Sequence, residues 1–357
     1  MKLINYVILF IFIGLLFLRY VLSLPKFQNG DTIKITTTLL TEPIRYSNSQ
    51  YIKLYGLKIY LPRYPEIIYG DRVEIVGIVD NKKLKNPKIQ KLETNQKLIY
   101  LLREKIISFY KSSIPEPYSS LIAGITIGSK QMPESFWDAL RKTGTAHVVV
   151  ASGTNVTMLA SFLIGTFTYY FRRKIAIFIT IAGIVVYVFL SGFDAPIVRA
   201  SIMGVIVMFG QIRGRLIDTW RILLYTSTLM LIIKPMWITD LGFILSFVAT
   251  TSLMLFQTKI DRLLKLPRLP KLLKEGLTTS IAAQIGVAPI IFATFGQFNI
   301  LSPVINALIL WTIPYIMSLG MMAGIVGLVV PLVGRLILFA LYPLTYWFVQ
   351  IINLSSN

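Results

Sequence analysis

Four groups of polar side chains interrupt the long apolar runs of this chain, and these are the places where chemistry could be done. The first lies in residues 143–157, TGTAHVVVASGTNVT, and holds the only histidine, His147, with Ser152, Gly153 and Asn155. Hydrocarbon penalises an unpaired polar group, so such a cluster is expected to face other protein or a wet cavity. On a helix Ser152 falls near Asn155, and Gly153 permits close helix approach or a local break. A serine-hydrolase reading needs a carboxylate to orient His147 and a glycine-rich elbow around the serine; Ala151-Ser152-Gly153 does not match that elbow. The second group runs Ser191-Gly192-Phe193-Asp194-Ala195-Pro196-Ile197-Val198-Arg199. Asp194 occupies an N-cap position before a helix opened by proline, and its charge suits the helix dipole. Arg199, one turn further on, needs a carboxylate, a carbonyl or an anionic substrate, and pairing with Asp194 is as open as a substrate role.

The third group spans residues 234–247, with Asp240 near the outer end of a span and Ser246 deeper on the same segment. Helix capping and interhelical hydrogen bonds account for both as readily as a substrate does. Gln284, Pro289, Asn299, Ser302, Pro303, Asn306 and Pro314 form the fourth. Prolines break long spans, and a broken helix is tolerated in a membrane where its freed backbone lines protein or water. The chain has no cysteine and one histidine, which excludes disulfides, thiol catalysis and a histidine-rich zinc site. No nucleotide-binding loop occurs, and no cofactor is expected.

The elements that must position these groups are membrane helices. The 357 residues are 55% hydrophobic and 15% charged, with a mean hydropathy of +0.67; soluble domains are about a quarter charged. Residues 3–24 read as a retained N-terminal span, with a cleaved signal peptide as the alternative. Apolar runs then cover about 144–171, 175–191, 196–212, 221–235, 238–257, 276–296, 299–328 and 333–352, which makes about nine spans. The net charge of +20 lies in short clusters between them. Arg172-Arg173-Lys174, then Arg213, Arg215 and Arg221, then the loop 258–275 fall on one side if every run crosses, and charge bias makes that side cytoplasmic. The loop repeats a basic residue every third position: Lys259, Arg262, Lys265, Arg268, Lys271 and Lys274. Such a loop snorkels onto anionic lipid or forms a basic rim at an inner mouth.

Residues 26–98 differ in kind. Partly alternating stretches at 32–40, 52–54, 57–61 and 71–79, separated by turn signals, predict a small β-barrel. It carries thirteen Lys/Arg against seven Asp/Glu, with Tyr46, Tyr51, Tyr55, Tyr60, Tyr64 and Tyr69 interleaved. That mixture suits single-stranded nucleic acid, or equally a spacer domain whose tyrosines fill its own core or rest on lipid headgroups. Residues 99–142 read as a connector, with an interfacial helix up to Lys111 and a short apolar piece, 121–127, that is re-entrant or buried.

In this order, the four groups resemble the ComEC competence family of DNA-uptake membrane proteins. The matching phrases are Thr143-Gly144-Thr145-Ala146-His147 running into Ala151-Ser152-Gly153; Ala195-Pro196-Ile197-Val198-Arg199-Ala200; Pro235 followed by Asp240-Leu241-Gly242-Phe243 and Leu245-Ser246-Phe247; and Phe295-Gly296 with Asn299 through Asn306 and Pro314. The resemblance covers about residues 115–330. It implies an OB-fold-like outer domain at 26–98 and a transmembrane channel domain at 143–357, with an anchor at 1–25 and the connector at 99–142. It also implies passage of single-stranded DNA through the cytoplasmic membrane; charge bias, with Lys2 inside, places the N-terminus inside and the β-domain outside. Its partners would be membrane lipids, a DNA receptor outside, an ATP-driven motor inside and a separate nuclease. Two departures stand out. The family often has a histidine where this chain has Asn155, and full-length members often continue into a metallo-β-lactamase-like domain that this sequence does not contain. Two rival readings are a secondary transporter or channel for a small anion, and an intramembrane enzyme using His147 and Ser152.

Overall fold

The computed structural model describes residues 14–24, 27–46, 48–81, 83–92, 98–150, 152–215, 217–264, 270–296 and 299–356. Of the expected first span it describes helix α1, Gly14–Ser23; residues 1–13 and 25 lie outside the described residues.

A six-stranded sheet follows: β1 (Thr32–Thr38), β2 (Ile44–Arg45), β3 (Ser49–Leu54), β4 (Leu57–Pro62), β5 (Arg72–Asp80) and β6 (Lys83–Leu92), in the order β1-β5-β6-β4-β3-β2. All pairings are antiparallel except β4 with β6. Alternation explains the strands. In β5, Val73, Ile75 and Val79 point inward, and β4 buries Leu57, Ile59 and Leu61. These side chains, with Ile35, Leu39, Ile52, Ile67 and Leu84, form the core of the sheet. Strand β6, KLKNPKIQKL, has the composition of a loop, and sequence patterning misses it. It pairs nonetheless because Asn86 and Pro87 fall in a bulge: Val76 faces Lys88 and Ile78 faces Lys85, with Asn86 at φ 47°. A bulge is where a strand tolerates proline.

The remainder is helical: α2 (Leu98–Ser113), α3 (Tyr118–Ile127), α4 (Glu134–Lys142), α5 (Ala146–Val149), α6 (Gly153–Tyr170), α7 (Arg173–Ser191), α8 (Ala195–Ile212), α9 (Thr219–Ile233), a 3-10 turn (Pro235–Thr239), α10 (Leu241–Leu263), α11 (Lys271–Phe295), α12 (Ser302–Leu310), α13 (Ile313–Val329) and α14 (Pro331–Ser356). Six helices are long and apolar enough to cross a membrane, or seven spans if α12 and α13, bent by 47° at their junction, count as one. The chain is a multi-pass membrane protein. Nine apolar runs thus yield six or seven qualifying spans among the described residues, because α9 has only 15 residues and α1 only its described part. Helix α9 together with the 3-10 turn nonetheless leads back from the end of α8 to the start of α10.

The connector is less superficial than its sequence implies. Helix α2 turns Tyr100, Arg103, Ile106, Ile107 and Tyr110 inward, and α3 is buried from Ser119 to Ile127. Both join one core with α13 and α14, including Ile316, Leu338, Leu341 and Phe348. Small residues bring these helices together: a Cβ at Gly320 of α13 would lie 2.7 Å from Thr126 of α3, and one at Gly324 would strike Tyr110 of α2. By contrast, 11% of the most apolar stretch of α10 and 17% of that of α11 are buried, against 33% for α7, α8 and α14.

Candidate functional site

Three of the four polar groups converge where α6, α8 and α10 meet. Pro196 at the start of α8 lies beside Gly242 at the start of α10, so the two helices run side by side from neighbouring ends. From α8, Arg199 Nη1 donates to Thr250 Oγ1 on α10 and lies 3.8 Å from Met203 Sδ. Thr250 in turn donates to the carbonyl of Ser246, 2.9 Å away, and the guanidinium stands 5.7 Å from the centroid of the Phe247 ring. On the α6 side Gly153 leaves the room, since a Cβ there would be 3.0 Å from Arg199 Nη2. Among the described residues no carboxylate lies within ion-pair distance of Arg199. Asp194, one of the two partners left open for Arg199, stands at the N-cap position of α8 but neither caps it nor reaches Arg199; it pairs with Lys130 at 2.7 Å. Asp240 caps α10 through Phe243 N–H at 3.1 Å, as its position predicts, and lies 3.7 Å from Lys53 of β3. Removing an ion from water costs several kcal/mol, and a hydroxyl, a sulfur and a ring face do not neutralise it.

The fourth group gathers against the start of the first. Asn306, buried in α12, donates to Ser280 Oγ of α11 at 2.9 Å and toward Ser302 Oγ at 3.4 Å, while its own Oδ1 has no partner. Ser302 donates to the carbonyl of Gly144 (3.5 Å), and Asn299 to that of Lys142 (2.9 Å). Gln284 is half-buried on α11, one turn beyond Ser280. The 143–157 run is broken as its glycine implies, into α5 and α6 with Ser152 at the N-cap position of α6. Ser152 donates to Asn155 Oδ1 at 3.2 Å, and buried Asn155 donates to the carbonyl of Ile125 on α3 at 2.8 Å. His147 is exposed, with Nδ1 3.0 Å from the carbonyl of Gly144. Among the described residues His147 and Ser152 therefore bond to different partners, and the pair that nucleophilic catalysis would need is not formed.

The helices also close a circuit. Helix α6 packs on α8, α8 on α10, α10 on α11, α11 on α12, α12 on α13, and α13 back on α6. Between α6 and α13 lies an open, mainly apolar groove of about 410 Å³, lined by Met158, Phe162, Met317 and Met321, to which Thr154, Thr157 and Ser161 of one helix and Ser318 of the other bring hydroxyls. The threonines and Ser161 recur at the spacing of a single helix face. At the far end of α10, Lys259 and Arg262 are exposed. On α11, Lys271 lies 3.8 Å from Glu275 and Lys274 lies 3.1 Å from Asp261. The basic rim is thus partly neutralised; Lys265 and Arg268 lie outside the described residues.

One constellation escapes sequence reasoning. Where the sheet meets the helices, Arg103, 1% exposed, pairs with Glu42 at 2.8 Å and donates to the carbonyls of Ile127 (2.5 Å) and Leu190. Glu42 also accepts from Ser129 Oγ (3.3 Å) and Lys130 N–H (2.6 Å). The guanidinium lies over Tyr69, whose hydroxyl donates to the carbonyl of Phe189 at 2.9 Å. Burial raises the pKa of that phenol, which keeps it a donor. Phe193 N–H, finally, donates to the carbonyl of Leu40 at 3.3 Å. The one available signal was Arg103 itself, a charge in phase with Tyr100, Ile106, Ile107 and Tyr110 on the apolar face of α2.

These contacts put the sheet at the ends of α7, α8 and α10 that lie opposite the basic clusters 172–174, 213–215 and 259–262. Comparison with known proteins gives the arrangement a family. No solved structure matches the chain. The protein described as "ComE operon protein 3" of Bacillus subtilis (strain 168) is 26% identical over 229 residues, which is 63% of this chain and 28% of that protein. The chain therefore spans less than a third of that relative. Residues 125–357, about two thirds of the chain, match the Competence protein family, and the protein belongs to that family.

Proposed function

We propose that this chain forms the path by which single-stranded DNA crosses the cytoplasmic membrane during natural transformation. The observation that carries the reading is Arg199, a cation held inside the helical bundle by neutral groups, at the meeting point of three helices. A sugar-phosphate backbone supplies the missing negative charge, one phosphate after another. Family membership and the circuit of helices with hydroxyls, amides and Arg199 distributed around it support the same reading. Candidate path residues are Ser152, Gly153, Asn155, Arg199, Ser246, Gln284 and Asn306, with Asp194 and Asp240 at the sheet-side mouth and His147 close to it.

In this reading the sheet is an OB-like domain outside the cell, the N-terminus is inside, and Lys259, Arg262, Lys271 and Lys274 face the cytoplasm. The sheet lies opposite the basic helix ends, which supports that orientation through charge bias. Transport is passive in this chain; a receptor delivers the strand, a separate nuclease removes its complement, and an ATP-driven motor inside pulls.

The test is uptake of labelled DNA by competent cells carrying no protein, wild-type protein or Arg199→Ala at matched abundance. Deletion is expected to abolish uptake, and Arg199→Ala to reduce it by about tenfold or more, the equivalent of roughly 1.4 kcal/mol. Full uptake in the deletion strain would overturn the function; full uptake in Arg199→Ala would remove the arginine from the path. A small-anion carrier would instead leave DNA uptake intact and lose anion flux in reconstituted vesicles.

A further inference from the structure

Between the sheet and the start of α4 lies a cavity of about 380 Å³, lined by Arg45, Tyr46, Gln50, Arg63, Glu66 and Glu134 together with Met132. Its size is that of a small-molecule site. One wall is preformed. Gln50, 1% exposed, donates toward the carbonyls of Pro62, Arg63 and Pro65 (2.9, 2.8 and 3.0 Å) and accepts from Ile67 N–H (3.0 Å). These contacts, two hydrogens shared among three carbonyls and one accepted bond, hold the loop that carries Arg63 and Glu66. Tyr46 supplies a ring, and Arg141 of α4 lies 5.9 Å from its centroid and 5.5 Å from that of Trp137, a guanidinium set between two aromatic faces. Arg45 and Glu66 lie 3.6 Å apart.

The charges define the ligand. Of the lining residues two guanidiniums and two carboxylates cancel, and Arg141 beside Tyr46 is offset by Asp138 at 3.6 Å, so the cavity does not concentrate phosphate as a purely basic groove does. It offers fixed donors, fixed acceptors and a π-face, which is what a nucleobase edge and ring require. Carboxylates accept from exocyclic amines, guanidiniums donate to ring nitrogens and carbonyls, and aromatic rings stack on any base. We infer that this cavity takes one unpaired nucleobase of the incoming strand, stacked on Tyr46, and so admits DNA only as a single strand. The inference rests on the transport reading above and adds what is recognised and where. The cavity lies at the start of α4, whose other end leads through Lys142 and Gly144, bonded to Asn299 and Ser302, into α5 and α6, so along the chain a base held there precedes the helical path.

The experiment compares binding of two short oligomers of equal length to the full chain in lipid nanodiscs at fixed salt. One is an oligodeoxynucleotide and the other an abasic sugar-phosphate chain. Wild-type protein is expected to favour the base-bearing oligomer by about fivefold or more, the equivalent of stacking one base. Tyr46→Ala is expected to lose most of that preference while its affinity for the abasic chain stays unchanged, and Tyr46→Phe to keep the preference. An undiminished preference in Tyr46→Ala overturns the cavity as a base site. Absence of single-strand binding by wild-type protein overturns the transport reading instead. A 5-iodouracil oligonucleotide photocrosslinked to wild-type protein gives a check independent of any variant: adducts are expected between residues 45 and 66, and adducts confined to other regions overturn the proposal.

Discussion

Two arginines lie inside this protein, and their surroundings treat them in opposite ways. Arg103 meets the carboxylate of Glu42, two backbone carbonyls and the face of Tyr69, in a seam where the sheet is fastened to α2, α3 and α7. Arg199 meets a hydroxyl, a sulfur and the face of Phe247. In both, Nε has no hydrogen-bond partner, so the difference lies in the carboxylate. Each guanidinium lost its water on folding. At Arg103 the protein supplies the counter-charge itself, and the result is a fixed joint. At Arg199 no carboxylate among the described residues supplies it, and on the proposed reading the strand does. A buried charge is thus better evidence of function when its partner is missing than when it is present.

The comparison can be broken at several points. The largest effect is expected at Glu42→Ala, which strands Arg103 and should cost about 3–5 kcal/mol of stability, measured as a lowered unfolding midpoint in detergent. Pairing Glu42→Leu with Arg103→Met should recover much of that loss. Arg199→Leu should leave the midpoint unchanged or raised by about 1 kcal/mol, since an uncompensated ion is removed, while DNA uptake falls. If Arg199→Leu unfolds the protein as Glu42→Ala does, the distinction between the two arginines fails. Thr250→Val removes the one hydroxyl bonded to Arg199, and about 1 kcal/mol should be lost.

Smaller effects sharpen the seam. Burial first, and then the nearby Glu42, raise the pKa of Glu104. The folded state therefore holds that proton more tightly than the unfolded one, and stability grows as pH falls through the raised value. Glu104→Gln should flatten that part of the stability–pH curve and stabilise the protein slightly at neutral pH. Lys53→Ala, which removes a half-exposed partner 3.7 Å from Asp240, should change the midpoint by less than about 0.5 kcal/mol.

Much of this architecture is legible in the sequence because hydrocarbon enforces simple rules. Each apolar run beyond residue 143 corresponds to helix, within a few residues at either end, and the break at Ser152-Gly153 and the cap at Asp240 are visible as residue types. Lys83–Leu92 is not legible as a strand, since a strand containing a proline is betrayed only by its bulge. Nor is the convergence of Gly153, Arg199 and Thr250, because each lies on a different helix and helix packing leaves no local periodicity. Asp194 shows the limit plainly. Its position before a helix predicts a cap, yet Lys130, far along the chain, outcompetes the helix's own amides.

Helices α10 and α11 have a mechanical consequence. They pack closely on each other, with Gly286 against Ser252 and Val248, and bury little against the rest of the molecule. The helices α2, α3, α13 and α14 are locked together by glycines and large aromatics, whereas the α10–α11 hairpin joins the rest of the bundle along α8 and α12. Swinging the hairpin outward would exchange its contacts along α8 and α12 for contacts with lipid tails of similar polarity. On the transport reading proposed above, an opening beside this hairpin would be set by what occupies it, and a strand whose bases differ in width would pass without any one of them being selected.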